Sequence, residues 1–279
     1  MPTIAQPMLF LGAGNMAHAI ISGASAAGTL DPQAVAVLDP DQSRHQHFQT
    51  PFADPAAALA WLGSHAAPAS TIVLAVKPQM LESAVAPIRA ILDQLPEPPL
   101  VISILAGTRI AQIEQAFNNQ ARVIRVMPNT PAQIGLAMSA LAPSASAAES
   151  DLALAIQLFS SVGQTITIDE SLMDAYTALA GSGPAYLFYL AESMTQAAEQ
   201  LGFDADQAQL IVRQTLLGSA SLLSQSAEPP SALRAKVTSK NGTTQAATDS
   251  LDESGVMESI IAAIHAAKER GMELGKSDS

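Results

Sequence analysis

Two short stretches hold most of the chemistry that this chain can offer. The first is the turn Gly12-Ala13-Gly14, which follows the apolar run Met8–Leu11 and opens an apolar-rich helix from about Asn15. Gly12, Gly14 and Ala17 satisfy G-x-G-x-x-G/A with a strand before and a helix after. Gly12 permits the tight turn, Gly14 lets a pyrophosphate approach the backbone, and small Ala17 lets the helix lie close on the strand. No Lys or Arg precedes Arg44, so a phosphate here must be held by backbone N–H groups and the positive end of the helix. The second stretch is Val237-Thr238-Ser239-Lys240-Asn241-Gly242-Thr243-Thr244. Hydroxyl and amide side chains surround a glycine where a helix begins, which makes either an anion cradle or an elaborate N-cap.

Two further loops sit where strands end. Lys77-Pro78 closes the run Thr71–Val76, and Pro128-Asn129-Thr130-Pro131 closes Arg122–Met127. The carboxyl edge of an open α/β sheet is where ligands bind, so each loop can line a cofactor; each can equally be simple strand termination. The common catalytic arrangements are missing. His18, His45, His47, His65 and His265 are scattered, and the i, i+2 spacing of His45 and His47 points their rings apart on a helix. These spacings fit no metal-ligand pattern, and no Gly-x-Ser-x-Gly elbow occurs.

The elements that must position these loops read clearly over the first part of the chain. Apolar strands are expected at Met8–Leu11, Ala34–Leu38, Thr71–Val76, Leu100–Leu105 and Arg122–Met127, with shorter ones near Leu136–Leu141 and Gln164–Ile168. Helical stretches intervene: Gln79 to about Leu95, stopped by Pro96-Glu97-Pro98-Pro99; Gly107-Thr108 to about Phe117; and about Ala148–Ser161. Asp31-Pro32, Asp39-Pro40 and Asp54-Pro55 each read as an Asp cap followed by Pro at the first position. Strands alternating with helices imply a mainly parallel sheet. After Asp169 no convincing strand remains. Ser182–Leu201 and Ala205–Ser224 are long Ala- and Leu-rich helices, a Pro break falls at Pro229-Pro230, and a final helix runs from about Glu253 to Leu274. The reading is α/β: a Rossmann-type dinucleotide-binding domain over 1–168 and an all-α substrate and dimerisation domain over 169–279. Helices this apolar bury more than one face, and a subunit interface is the expected cover.

Composition removes several classes of function. A net charge of −12 with 13 Lys and Arg argues against nucleic acid or an anionic membrane as partner. With no cysteine there is no disulfide and no thiolate metal site, which fits a reducing compartment. The N-terminal apolar patch lacks a basic flank and runs into the glycine turn, so it reads as a strand and not a signal peptide. No apolar run reaches the roughly 20 residues of a membrane helix. A cytoplasmic protein is expected.

Five landmarks in order resemble pyrroline-5-carboxylate reductase over essentially the whole chain. They are FLGAGNMAHAI, LAVKPQ with VISILAG, RVIRVMPNTPAQIG, ALAGSGPAYLFYLAESM and LRAKVTSKNGTTQAA. The resemblance implies reduction of the cyclic imine of 1-pyrroline-5-carboxylate to L-proline by NADP(H) or NAD(H). It also explains the missing dyad, because a protonated C=N is already an electrophile and alignment is the main task. By the family's pattern, Leu11, Gly12, Ala13, Gly14, Asn15 and Met16 would hold the cofactor phosphates. Ala75, Val76, Lys77, Pro78 and Asn129 would line the nicotinamide ribose. Backbone N–H groups around Gly242 and Thr243, with the Ser239 hydroxyl, would grip the substrate carboxylate, and Thr244 would bond the ring nitrogen and relay its proton. The family further implies a homodimer with shared sites, often assembled into a decamer.

Two positions depart from that pattern. The family loop commonly reads Ser-Pro-Gly-Gly-Thr-Thr, whereas Lys240 and Asn241 stand here; Asn tolerates left-handed angles better than most residues. Asp39, at the end of the second strand, would either bond the adenosine ribose of NADH and repel the 2′-phosphate of NADPH, or only cap the helix expected from Pro40. Arg44 stands near enough to meet a phosphate, and both cofactors are expected to work. Two rivals stand apart. A β-hydroxyacid dehydrogenase needs a Lys on the helix after Gly181-Ser182-Gly183, and none appears before Lys236. A regulatory protein that binds nucleotide without turnover is opposed by the intact Thr243-Thr244 pair.

Overall fold

Short, mostly apolar runs bounded by turns become the strands of one sheet. The computed structural model describes residues 3–65, 70–90, 92, 95 and 97–275. Eight strands are ordered β3-β2-β1-β4-β5-β6-β7-β8: β1 Met8–Leu11, β2 Val35–Leu38, β3 Pro51–Phe52, β4 Thr71–Leu74, β5 Leu100–Ser103, β6 Arg122–Met127, β7 Ala137–Pro143 and β8 Gly163–Thr167. All neighbours pair in parallel except β6 with β7. The chain builds outward from β1 through β2 to β3, then returns to lay β4 on the other side of β1.

Alternation along the strands divides the core into two layers. Leu9, Leu11, Ile72, Leu74, Val101 and Val123 pack on α2 Pro55–His65, α3 Leu81–Arg89 and α4 Ile110–Ala116. Met8, Phe10, Val37, Val73, Ile102 and Ile124 pack on the other face, against α1 Asn15–Ala26 and α5 Glu149–Ser160. Both faces of a parallel sheet are covered, which is why its strands read as unbroken apolar runs.

Three boundaries differ from the sequence reading. The segment after Asp39-Pro40 forms a 3-10 turn over Gln42–His47 capped by Asp41, so Asp39 caps nothing there. The helix expected from Gln79 to Leu95 is a 3-10 turn Pro78–Met80 followed by α3, which carries Pro87 within it; Pro96 lies outside the described residues. Pro230, read as a break, opens α9 Pro230–Lys236, because a helix's first residue has no use for its N–H.

Two compact units result: one runs to Gly181 and takes in the C-terminal residues from Lys268, the other is Ser182–Ala267. The segment after β8 stays with the first unit through α6 Met173–Tyr176 and a π-helical turn Thr177–Gly181. The second contains α7 Gly183–Gln200, α8 Ala205–Gln225, α9, α10 Thr243–Glu253 and most of α11 Val256–Leu274. Its helices leave large apolar side chains exposed, among them Phe188, Tyr189 and Leu210.

Candidate functional site

The strand order reverses between β1 and β4, and the glycine turn stands at that reversal, where such sheets bind their ligands. Gly12 has φ +105°, and a Cβ on it would lie 2.6 Å from the Ala75 carbonyl oxygen, so only glycine fits. Its N–H donates to the Leu38 carbonyl at 2.8 Å, and the Ala75 N–H donates to the Leu11 carbonyl at 2.8 Å. The exits of β1, β2 and β4 are thereby locked together. Gly14 is different: a Cβ there meets nothing within 4 Å. It is the N-cap of α1, in extended conformation, with no side-chain cap and no acidic residue in the first turn. The N–H groups of Asn15, Met16 and Ala17 are left for an anion, and Gly14 beside them borders open space. These residues fit a dinucleotide pyrophosphate.

Asp39 stands beside this turn, but its carboxylate is engaged with the protein. Oδ2 accepts from the Ala13 N–H at 2.9 Å and from the Arg44 guanidinium at 3.4 Å, while Oδ1 accepts from the Asp41 N–H at 2.9 Å. The residue is 5% exposed. It therefore braces the glycine turn and is no cap for a helix at Pro40. Arg44 also pairs with Asp41 at 3.1 Å, and the His45 ring meets the Asp39 carbonyl at 2.7 Å. Asp41 is held below the usual carboxylate range, first by the Ser43 hydroxyl, then by the Ser43 N–H and by Arg44.

At the β4 exit, Ala75 and Val76 are half-buried, Lys77 is exposed, and Pro78 begins the short 3-10 turn. After β6 the Asn129 side chain is clasped at both ends. Its Nδ2 donates to the Ala180 carbonyl and its Oδ1 accepts from the Met138 N–H, each at 3.0 Å.

In the second unit the hydroxyl-rich loop forms a tight turn before α10. The Gly242 N–H donates to the Ser239 carbonyl at 3.0 Å, and the Ser239 Oγ occupies the place where a Cβ on Gly242 would go. Asn241 takes φ +60°, the left-handed conformation its side chain tolerates. Gly242 is the N-cap of α10 and supplies no side chain, so the N–H groups of Thr243 and Thr244 lack a cap. Ser239, Gly242, Thr243 and Thr244 thus come together around one helix N-terminus. The sequence reading missed Gln245, whose Oε1 accepts from the Asn241 N–H at 2.7 Å and so fixes the turn from within the helix. A Gln three residues after the N-cap is the signal that could have found it.

A pyrroline-5-carboxylate reductase of Synechocystis is 37% identical to this chain over 95% of it and 97% of that relative. The chain belongs to the pyrroline-5-carboxylate reductase family. Residues 170–274 match the family model for pyrroline-5-carboxylate reductase dimerisation, and 8–107 match the model for NADP oxidoreductase, coenzyme F420-dependent. A pyrroline-5-carboxylate reductase structure from Coxiella burnetii aligns over 98% of this chain and 99% of its own, at TM-score 0.86 and 32% identity. One from Plasmodium falciparum, with NADP bound, aligns over 98% and 100% at TM-score 0.85 and 26% identity. Among the described residues no group of His, Asp and Glu converges as a metal site, and no helix is long and apolar enough to cross a membrane.

Proposed function

We propose that this protein reduces 1-pyrroline-5-carboxylate to L-proline with hydride from NADPH or NADH, the last step of proline synthesis. The observation that carries the reading is the Gly12 turn packed on Ala75 beside an uncapped α1 N-terminus, in a chain of this family. Leu11–Met16 form the turn that seats the pyrophosphate, with the N–H groups that open α1, from Asn15 on, as its donors, and Ala75–Pro78 with the loop at Asn129 line the nicotinamide ribose. The reduced nicotinamide, when bound, supplies the hydride. The uncapped N–H groups of Thr243 and Thr244, presented by the turn at Gly242, hold the substrate carboxylate with the Ser239 hydroxyl. The Thr244 hydroxyl bonds the ring nitrogen and keeps its proton in place, so that the C=N carbon receives the hydride while the π electrons move onto the nitrogen, which stays in the ring as the secondary amine of proline. A protonated imine needs no stronger acid, which accounts for the scattered histidines.

Asp39 is engaged with Ala13 and neutralised in part by Arg44, which supports use of both cofactors. The match of residues 170–274 to the dimerisation model and the exposed Phe188, Tyr189 and Leu210 support a homodimer as the smallest assembly. A decamer and a cytoplasmic location are the further expectations of the family likeness. The test is loss of reduced-nicotinamide absorbance on addition of 1-pyrroline-5-carboxylate, with NADPH and NADH in turn and proline measured as product. Turnover with either supports the assignment; none from folded protein that binds cofactor overturns it.

A further inference from the structure

Three alternating side chains at the end of β6 and just past it share a single target. Arg125, Met127 and Asn129 follow the two-residue alternation of an extended strand, and all three reach the segment between β8 and α7. Arg125, 3% exposed, donates to Glu170 at 3.0 Å and lies 3.8 Å from Asp174. The Met127 Cε stands 3.0 Å from where a Cβ on Gly181 would be, so the absence of a side chain at Gly181 admits it. Asn129 Nδ2 reaches the Ala180 carbonyl. Glu170 adds a second tie, accepting from the Ile110 N–H at the start of α4 at 2.7 Å.

The Ala180 carbonyl needs an outside donor for a reason written in the sequence. In an α-helix it would accept from the N–H four residues on, and that residue is Pro184, which has none. The next N–H, that of Ala185, donates instead to the Ser182 carbonyl at 2.9 Å. The helix path is a π turn here, a distortion that is frequent at functional sites. The side-chain amide of Asn129 supplies the missing donor, and its own oxygen is held by the Met138 N–H at the start of β7.

We infer that Asn129 is a positioning residue: its amide replaces the N–H that Pro184 lacks and so holds the loop Pro128–Pro131 and the π turn Thr177–Gly181 in register, without its side chain contacting the cofactor. The inference rests on the proposed reduction only for its kinetic readout. The same loop lies at the sheet edge that binds the nicotinamide, so its displacement slows hydride transfer while leaving most cofactor contacts in place.

Asn129→Ala is expected to lower kcat about tenfold or more, by misalignment, with the NADPH dissociation constant changed by less than about twofold. Amide hydrogen exchange at Thr177–Gly181 rises in the same variant. Asn129→Asp keeps the acceptor for Met138 but sets an oxygen against the Ala180 carbonyl, so it is expected to be as impaired as the alanine variant; a ribose ligand would tolerate Asp, since ribose hydroxyls donate to a carboxylate. Pro184→Ala in the Asn129→Ala background returns an N–H to the helix and is expected to restore exchange protection at Thr177–Gly181, while kcat stays low because the loop Pro128–Pro131 remains untied. Weakened NADPH binding with kcat preserved, full activity of Asn129→Asp, or failure of Pro184→Ala to restore exchange protection at Thr177–Gly181 would each overturn the inference. If the wild-type protein shows no turnover, the proposed function fails, while hydrogen exchange in the three variants still decides the role of Asn129.

Discussion

The two turns proposed to bind anions use their polar side chains in opposite ways. At the carboxyl edge of the sheet the side chains with chemical potential bond the protein itself: Asp39 braces Ala13 in the glycine turn, and after β6 Asn129 clasps Ala180 and Met138. What faces outward is backbone, the N–H groups of α1 in front of an open Gly14. At the loop before α10 the backbone is folded on itself through Gly242 and Gln245, and hydroxyls remain on the surface at Ser239 and Thr243. A dinucleotide pyrophosphate is a large fixed anion that a rigid array of N–H groups can hold. A small imino acid needs donors placed at both its carboxylate and its ring nitrogen. One turn needs rigidity and the other needs functional groups.

The contrast is broken most directly at Thr244. Thr244→Ala is expected to reduce kcat by about a hundredfold or more, the scale of losing a proton-handling group, while NADPH binding measured by fluorescence stays near wild type. Unchanged turnover would remove the hydroxyl from the mechanism and leave both turns as backbone cradles.

The glycines sharpen the comparison next. Gly12→Ala combines φ +105° with a clash on backbone, so it is expected to lose about 2–3 kcal/mol in denaturant unfolding and to abolish cofactor binding. Gly14→Ala enters open space at an ordinary φ of −76°, so its stability should fall by no more than about 1 kcal/mol, the range of a poorer N-cap. NADPH affinity should still drop by about tenfold or more, because the methyl group enters the pyrophosphate approach. Equal stability losses in the two variants would show that Gly14 is a packing residue and not a ligand-facing one.

Asp39 follows in size. Asp39→Ala leaves the buried Ala13 N–H without its acceptor, which costs about 1–3 kcal/mol. Asp39→Asn keeps an oxygen for Ala13 and is expected to retain most stability, with the ratio of kcat/KM for NADPH over NADH moved by less than about threefold. Arg44→Ala should lower that ratio more, since Arg44 is the exposed cation beside the turn and a charged hydrogen bond is worth about 1.5–3 kcal/mol. If Asp39→Asn moves the ratio more than Arg44→Ala does, Asp39 reads the ribose as well as bracing the turn.

The sequence made the sheet and both turns visible because their signals are local. Gly12, Gly14 and Ala17 lie within one turn and helix start, and the strands are apolar runs bounded by breakers. The roles of Asp39 and Asn129 were hidden because their partners are distant in sequence. Ala13 is 26 residues from Asp39 and becomes its neighbour only when β1 and β2 pair in parallel. Ala180 is 51 residues from Asn129 and needs a donor only because of Pro184. Strand β3 has two residues, too few for any periodicity to register. Polar residues at a sheet edge suit ligand binding and bracing equally well, and only the register of the fold separates the two.

The smallest expected effect lies at Asn241, and it tests whether the substrate turn is as rigid as the cofactor turn. Asn241 holds φ +60° on an exposed loop, with its N–H bonded to Gln245. Left-handed geometry costs an ordinary L-residue about 1–2 kcal/mol, and Asn less. Asn241→Gly should therefore leave KM for 1-pyrroline-5-carboxylate unchanged or slightly lower, and Asn241→Ala should raise it a few fold, with kcat and NADPH binding near wild type in both. The reason is that the strain acts on the placement of the uncapped Thr243 and Thr244 N–H groups, proposed to meet the substrate carboxylate, and not on the Thr244 hydroxyl proposed to act at the ring nitrogen. If both variants match wild type, the turn is held by Gln245 and Ser239 alone. If both are impaired, the Asn241 side chain itself meets the substrate, and the second turn would then bind through side chains more fully than its backbone geometry implies.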